Sequence, residues 1–202
     1  KKLTKVALLN YCGAAILMPY KLFHEECKKQ KYDLELLQNT FATSFEQVAH
    51  RVTCLQDPNL PGIPFHMLRV DIAGNISKRF SLSGIEIPRY GGACPRWNIY
   101  SAFTTPGKIH SAVSKMSNGE KYVCIARTVE KGVGRYGKSK SMLSIGLGCE
   151  AKYAKDFVYT ENLNVNDKKT EIPIGVSCRT CDRLDCSQRA FPPLHKKFDV
   201  DI

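Results

Sequence analysis

Asp57-Pro-Asn-Leu-Pro-Gly-Ile-Pro64 is the stretch that divides this chain into two parts. Its prolines and its glycine favour turns over a continuous helix or strand. Before it, the apolar residues recur with the period of a helix, and after it they follow the period of a strand. The sequence therefore predicts an α+β fold, with a helical segment at residues 1–56 and an antiparallel-sheet domain at residues 57–202.

The helical segment contains four predicted helices. Residues 3–18 are apolar almost all round, which favours a buried helix. Two shorter helices are predicted at residues 20–30 and 33–39. Ser44 and Gln47 match a capping box at the start of a fourth helix. The apolar residues of this fourth helix lie at helical spacing: Phe45, Val48, Ala49, Val52 and Leu55.

Antiparallel strands are predicted beyond the proline-rich stretch. Residues 65–72 and 76–82 flank an Ala-Gly-Asn turn and are expected to form a β-hairpin. Residues 109–116 and 121–129 flank a Ser-Asn-Gly turn and predict a second hairpin, although its first arm is also compatible with a helix. A further strand and a short helix are predicted at residues 142–147 and 151–159.

Composition limits the class of protein and its partners. With 202 residues the chain can bury a core without disulfides. The net charge of +11 favours a polyanionic partner, although a generally lysine-rich composition gives the same balance. Nine cysteines is an odd number and most stand alone, which favours a reducing compartment, so we expect a cytoplasmic protein. No apolar run has membrane-spanning length, and no membrane partner is expected.

Three cysteines lie close together in Cys178-Arg-Thr-Cys181-Asp-Arg-Leu-Asp-Cys186. The run is too short and too polar to be a core element, so packing does not explain them. Thiolates are ligands of zinc and of iron–sulfur clusters. A fourth ligand has to come from elsewhere, and the candidates are Cys94, Cys149 and His195. Cys94 and Cys149 both follow glycines, which let the backbone approach a bulky cluster.

Other motifs carry weaker signals. Residues 89–97 read Arg-Tyr-Gly-Gly-Ala-Cys-Pro-Arg-Trp, which suits either a nucleotide-like ligand or a tight turn with a core tryptophan. Residues 132–137 match G-x-G-x-x-G, but strand-like sequence follows, so we interpret them as a basic loop between strands. His24-Glu25-Glu26 lacks the second histidine of a zincin motif. No catalytic constellation is evident, and we expect no enzymatic activity.

Four motifs, in the same order, resemble the C-terminal sensor domain of the short-chain fatty-acyl transcriptional regulators, which include bacterial regulators of propionate and acetate metabolism. They are found at residues 69–80, 90–97, 145–150 and 175–193. Residues 10–19 resemble the end of the metallopeptidase-like domain that precedes the sensor domain in such proteins. The resemblance places a DNA-reading helix-turn-helix upstream of this chain.

The resemblance implies that the chain senses a short-chain acyl-coenzyme A and binds a 4Fe-4S cluster in a bacterial transcriptional regulator. Cys178, Cys181 and Cys186 then become cluster ligands, with Cys94 as the preferred fourth and Cys149 as an alternative. The candidate ligand-binding residues, taken from the matching motifs and their surroundings, are Arg69, Arg79, Arg89, Tyr90, Arg96, Trp97 and Arg127.

The expected partners are the acyl-coenzyme A effector, promoter DNA bound through the upstream domain, and a second copy of the protein in a homodimer. The alternative function is that of a nucleic-acid-binding module instead of an effector sensor. In it, zinc replaces the cluster and stabilises a basic module that binds nucleic acid directly.

Overall fold

Four helices come first along the chain in the computed structural model, which describes residues 2–89, 92–132, 136–137 and 140–194. They are α1 (Lys2–Leu17), α2 (Tyr20–Lys29), α3 (Leu34–Thr40) and α4 (Phe45–Val52). All four were predicted from the sequence. The capping box of α4 is confirmed, since the backbone N–H of Gln47 donates to Ser44 Oγ and the Gln47 side chain accepts from the Ser44 N–H.

Helix α1 is exposed, and the prediction that it is buried is wrong. Leu8 is 60% exposed and Ile16 is 77% exposed. An all-round apolar helix is buried only when partners surround it. The described part of the chain supplies partners on one side, where Arg51 of α4 lies 5.8 Å from the centre of the Tyr11 ring.

Among the described residues, no single helix is long and apolar enough to cross a membrane. Thr4–Leu17 and Tyr20–Lys29 reach that length and composition only as a pair bent by 66°.

Six strands form one sheet in the order β2-β1-β5-β4-β3-β6. They are β1 (His66–Asp71), β2 (Ile76–Ser81), β3 (His110–Lys115), β4 (Lys121–Lys131), β5 (Ser141–Glu150) and β6 (Glu171–Pro173). Both predicted hairpins are confirmed as the antiparallel pairs β1–β2 and β3–β4, so the helical alternative for β3 is wrong. Strand β6 was not predicted. It pairs in parallel with β3, which makes the sheet mixed instead of wholly antiparallel.

Short helical turns connect the strands. The predicted helix at residues 151–159 is a pair of 3₁₀ helices, Ala151–Asp156 and Val158–Thr160. Helix α5 (Asn98–Ser101) was not predicted, nor were the 3₁₀ helices at Ala102–Thr104 and Cys178–Thr180.

The sheet is covered on both faces. Helices α2 to α4 pack on one face, where Phe23 and Leu37 join Phe65, Ile125 and Leu147 in a single core. Trp97 and Ile99 cover the other face together with Ile174. Because successive residues of a strand point to opposite faces, the sequence alternates between the two cores along β4 and β5. The α+β fold class is confirmed.

Candidate functional site

A cavity of about 800 Å³ opens beside α2 and the proline-rich stretch. Most of its walls are apolar or aromatic, and exposed Lys28, Lys31 and Asp156 supply charge. The remaining lining residues are Tyr32, Leu55, Gln56, Pro61, Gly62, Ile63, Pro64, Leu82 and Tyr153.

Hydrogen bonds hold the proline-rich stretch against α2 and so fix this wall of the cavity. The Tyr20 hydroxyl donates to the carbonyl of Leu60 at 3.0 Å, and His24 Nε2 lies 3.1 Å from the carbonyl oxygen of Pro61. The N–H of Ile63 donates to the Tyr32 hydroxyl. Burial raises the pKa of Tyr32 to about 12, so this phenol stays protonated at neutral pH.

Gly62 is required in this wall because it packs closely against Leu55. A Cβ at Gly62 would lie 2.7 Å from Cβ of Leu55, which is closer than carbon atoms pack. The stretch that the sequence marks as a domain boundary is therefore a structural part of the cavity. The signal that could have identified it is the combination of proline, which restricts the backbone, with glycine, which has no side chain, beside apolar residues.

Of the predicted ligand-binding residues that the structure describes, none lines this cavity. Arg127 forms an ion pair with Glu35 at 2.9 Å and lies over the ring of Phe45. Arg79 and Arg89 line a separate, open depression of about 430 Å³ beside β2. Tyr90 lies outside the described residues, and Arg96 is half-buried beside the Cys94 loop.

Arg69 belongs to a cluster of three cations around one carboxylate. Its guanidinium lies 2.7 Å from Glu46 Oε1, and the ammonium groups of Lys78 and Lys131 lie 2.9 Å and 2.7 Å from the same side chain. Burial raises the pKa of Glu46, but hydrogen bonds from both lysines outweigh burial and lower the pKa to about 2. This cluster ties α4 to strands β1, β2 and β4.

Trp97 is a core residue, in agreement with the structural alternative for its motif. Its side chain is 6% exposed, and its indole N–H donates to the carbonyl of Gly175 at 2.9 Å. The N–H of Cys94 donates to the carbonyl of Val176 at 3.0 Å. These two bonds fasten the Cys94 loop to the segment that leads into the cysteine-rich run.

Cys94 lies beside the start of the cysteine-rich run, because its backbone is bonded to Val176, two residues before Cys178. Burial raises the pKa of the Cys94 thiol, and the neighbouring thiols of Cys178 and Cys181 add to that rise. Gly175 gives the space for this arrangement, because a Cβ there would lie 2.9 Å from Sγ of Cys181. Cys186 is half-buried farther along the same run.

The alternative fourth ligands differ in position. Cys149 of β5 is fully buried on the helical face of the sheet, whereas Cys94 belongs to the core on the opposite face. His195 lies outside the described residues. Within the described ranges, no group of three or more His, Cys, Asp or Glu side chains is arranged to hold a metal ion. The four-cysteine ligand set stays a prediction.

The Gly-Leu-Gly run before Cys149 makes room for side chains of the core. A Cβ at Gly146 would lie 2.9 Å from Cδ1 of Ile99, and one at Gly148 would lie 2.6 Å from Cε1 of His66. His66 hydrogen-bonds to Ser83 Oγ at 2.7 Å, and its Nε2 lies 3.7 Å from Sγ of Cys124. Sequence reasoning missed this buried pair because its members are 58 residues apart.

Comparison with known proteins agrees with this architecture. The family model described as the C-terminal part of the short-chain fatty acyl coenzyme A regulators matches residues 54–202. The chain belongs to this family. A second model, the IrrE N-terminal-like domain, matches residues 6–53. Both resemblances noted in the sequence are thereby confirmed, and the division at residues 56 and 57 stays a prediction.

Known relatives of this chain are named as regulators. The HTH-type transcriptional regulator RamB of Mycobacterium tuberculosis is 43% identical over 203 residues, which is 100% of this chain and 43% of the relative. The propionyl-CoA carboxylase regulator of Cereibacter sphaeroides is 42% identical over 201 residues, again covering 100% of this chain and 43% of the relative. The chain thus spans less than half the length of these relatives.

A solved structure, described as a Mycobacterium tuberculosis transcriptional regulator, superposes with a TM-score of 0.94 at 39% identity. The match covers 99% of this chain and 61% of that one. Fold and family are thus shared over nearly the whole chain.

Proposed function

We propose that this chain is the effector-sensing part of a bacterial transcriptional regulator, and that it binds a short-chain acyl-coenzyme A in the large cavity. The observation that carries the proposal is the cavity itself. Its volume of about 800 Å³ lies in the range of about 300–1,000 Å³ that is usual for small-molecule sites. Family membership supports the acyl-coenzyme A as ligand.

The lining suits a ligand with an apolar end and a polyanionic end. Leu55, Ile63 and Leu82 offer apolar surface to an acyl and pantetheine chain. The exposed ammonium group of Lys28 offers positive charge to phosphates. That of Lys31 is paired with Glu161 Oε1 at 3.2 Å.

The cavity is also placed to transmit binding. Its lining comes from α2, from the proline-rich stretch, from Leu82 after β2 and from the 3₁₀ helix Ala151–Asp156, so one ligand would contact both parts of the chain. A ligand that prefers one arrangement of these parts shifts the population towards it. We propose that promoter DNA is bound by an upstream domain that responds to this shift, in a homodimer.

Calorimetric titration with acetyl- and propionyl-coenzyme A tests the ligand site. We expect saturable binding that Lys28→Glu weakens roughly tenfold at low salt, because the ammonium is replaced by a like charge to the phosphates. Arg79→Glu is the matched control and should bind as the parent does. Loss of binding in Arg79→Glu alone would move the site to the depression beside β2.

Absence of heat and of thermal shift with both ligands would refute the ligand proposal. Binding of this chain to random-sequence DNA that weakens steeply with added salt would favour the nucleic-acid alternative instead.

We further propose that Cys94, Cys178, Cys181 and Cys186 hold an iron–sulfur cluster. The chemistry of the donors supports this proposal, because thiols are the ligands that such clusters use and Gly175 leaves space beside Cys181. Binding requires the four thiols to move together, since their described positions form no metal site. When bound, such a cluster would supply one-electron redox chemistry.

Anaerobic purification followed by a visible spectrum and assays of iron, sulfide and zinc tests the cluster. Iron and sulfide in equal amounts, with colour that bleaches on reduction, would support it. A colourless protein with one tightly held zinc would refute it and make the cysteines structural.

A further inference from the structure

One arginine, Arg189, makes several hydrogen bonds to backbone carbonyls of the cysteine-rich run. The guanidinium of Arg189 donates to the carbonyl of Cys178 at 2.8 Å and to that of Cys181 at 3.1 Å. It also donates to the carbonyl of Phe191 at 3.1 Å and to that of Arg183. A single planar side chain thus accounts for four carbonyl contacts, two of them to predicted cluster ligands.

The same loop is closed by its own backbone. The N–H of Ala190 lies 3.4 Å from Sγ of Cys178, and the N–H of Leu194 donates to the carbonyl of Arg179 at 2.9 Å. The Arg179 guanidinium lies 4.9 Å from the centre of the Phe191 ring. The segment after Cys186 therefore folds back onto the segment that begins at Cys178.

We propose that Arg189 is a positioning residue that holds Cys178 and Cys181 beside Cys94 without any metal. The assignment of these thiols as cluster ligands rests on the proposed function, but the contacts of Arg189 do not. In this arrangement hydrogen bonds from the guanidinium fix the conformation of the loop, a role that a metal has in many small cysteine-rich loops.

The chemistry of the side chain explains why arginine is needed. Guanidinium presents five N–H donors in a rigid plane, so it can serve several carbonyls at once. Lysine carries the same charge on a compact ammonium and cannot reach the same set. Hydrogen bonds from a charged donor are also the stronger kind.

This loop is expected to differ from a zinc finger in how its folding depends on metal. Classical zinc fingers unfold when the metal is removed, because the metal supplies their folding energy. A loop held by Arg189 keeps its fold without the metal, so the regulator can lose and regain a cluster without unfolding its tail.

The experiment uses the anaerobically purified protein after removal of metal with a chelator. Alkylation of Cys178 and Cys181 by iodoacetamide is followed by mass spectrometry in the parent, in Arg189→Lys and in Arg183→Lys. Arg183→Lys is the matched control, because Arg183 lies in the same loop and makes one carbonyl contact, to Lys115 at 3.3 Å.

We expect the metal-free parent to protect Cys181, which is 9% exposed, and Arg189→Lys to raise its alkylation rate roughly tenfold or more. Loss of one charge-assisted hydrogen bond is enough for about that factor. Arg183→Lys should stay within about threefold of the parent. Equal rates in the three proteins, or a metal-free parent whose Cys181 reacts as fast as a denatured sample, would overturn the proposal.

A titration with Co²⁺ separates positioning from general stability. In Arg189→Lys the thiolate-to-cobalt absorption should require roughly tenfold more metal while the melting temperature of the whole chain changes little. Unchanged cobalt affinity in that variant would overturn the positioning role. A parent that binds no cobalt but protects Cys181 would count against the cluster proposal alone.

Discussion

Gly148→Ala tests how closely the buried His66–Cys124 pair packs over β5, a central strand of the sheet. An alanine Cβ at this position would lie 2.6 Å from Cε1 of His66 and 2.7 Å from Sγ of Cys124. His66 is 4% exposed and Cys124 is 8% exposed, so both side chains are buried where the added Cβ would lie. His66 is also fixed by its 2.7 Å hydrogen bond to Ser83.

The size of the effect follows from these contacts. Overpacking a well-packed core costs about 1–3 kcal/mol. Displacing the His66 ring also removes the bond to Ser83, which contributes about 1 kcal/mol. We therefore expect the free energy of unfolding to fall by about 2–4 kcal/mol. For a chain of this size, that lowers the melting temperature by about 4–16 °C.

Urea denaturation and thermal melting of Gly148→Ala and Gly146→Ala measure this difference. Gly146 lies two residues away on the same strand, and its added Cβ would meet the flexible Cδ1 end of Ile99 at 2.9 Å. Because that end can rotate, Gly146→Ala should cost less than about 1 kcal/mol. Equal losses in the two variants, or a change below about 0.5 kcal/mol in Gly148→Ala, would refute this account of the packing.

Three further predictions concern charge and cysteines. Burial lowers the pKa of His66 from 6.5 to about 3, so the unfolded chain gains a proton that the folded chain does not, and stability should fall as pH drops from 6.5 towards 3. This group contributes up to about 1.4 kcal/mol per pH unit, and denaturation at pH 7 and pH 5 should show a weaker dependence in His66→Gln. Glu46→Gln should cost about 1–3 kcal/mol in low salt, because three cations lose their shared carboxylate; exposed Glu35→Gln should cost under about 1 kcal/mol, and the reverse order in urea titrations would contradict the role of the cluster. Cys181→Ser should remove bound iron while Cys54→Ser retains it, and equal iron in both purified variants would sink the ligand assignment.

Local signals predicted most of the secondary structure. The capping box at Ser44 and the Ala-Gly-Asn and Ser-Asn-Gly turns act over a few residues, so they are legible in the sequence and were confirmed. Strand β6 was missed because three residues carry too little periodicity to show a strand. Strand β6 forms only by pairing with β3, which is distant from it along the chain.

The family could also be recognised from the sequence, since its motifs are short runs of residues in a fixed order. The three cysteines of the C-terminal run could be singled out for the same reason. Their closeness is imposed by the covalent chain, because residues a few positions apart cannot lie far from one another.

Only the tertiary structure decided the rest. Cys94 and Cys149 have similar local sequences, and they differ because they lie on opposite faces of the sheet. The cavity is lined by α2, the proline-rich stretch, Leu82 and the 3₁₀ helix Ala151–Asp156, whereas Arg79, Arg89 and Arg127 lie elsewhere. The physical reason is the same in both cases. A motif fixes which chemical groups are available, whereas the packing of distant segments fixes which of those groups meet.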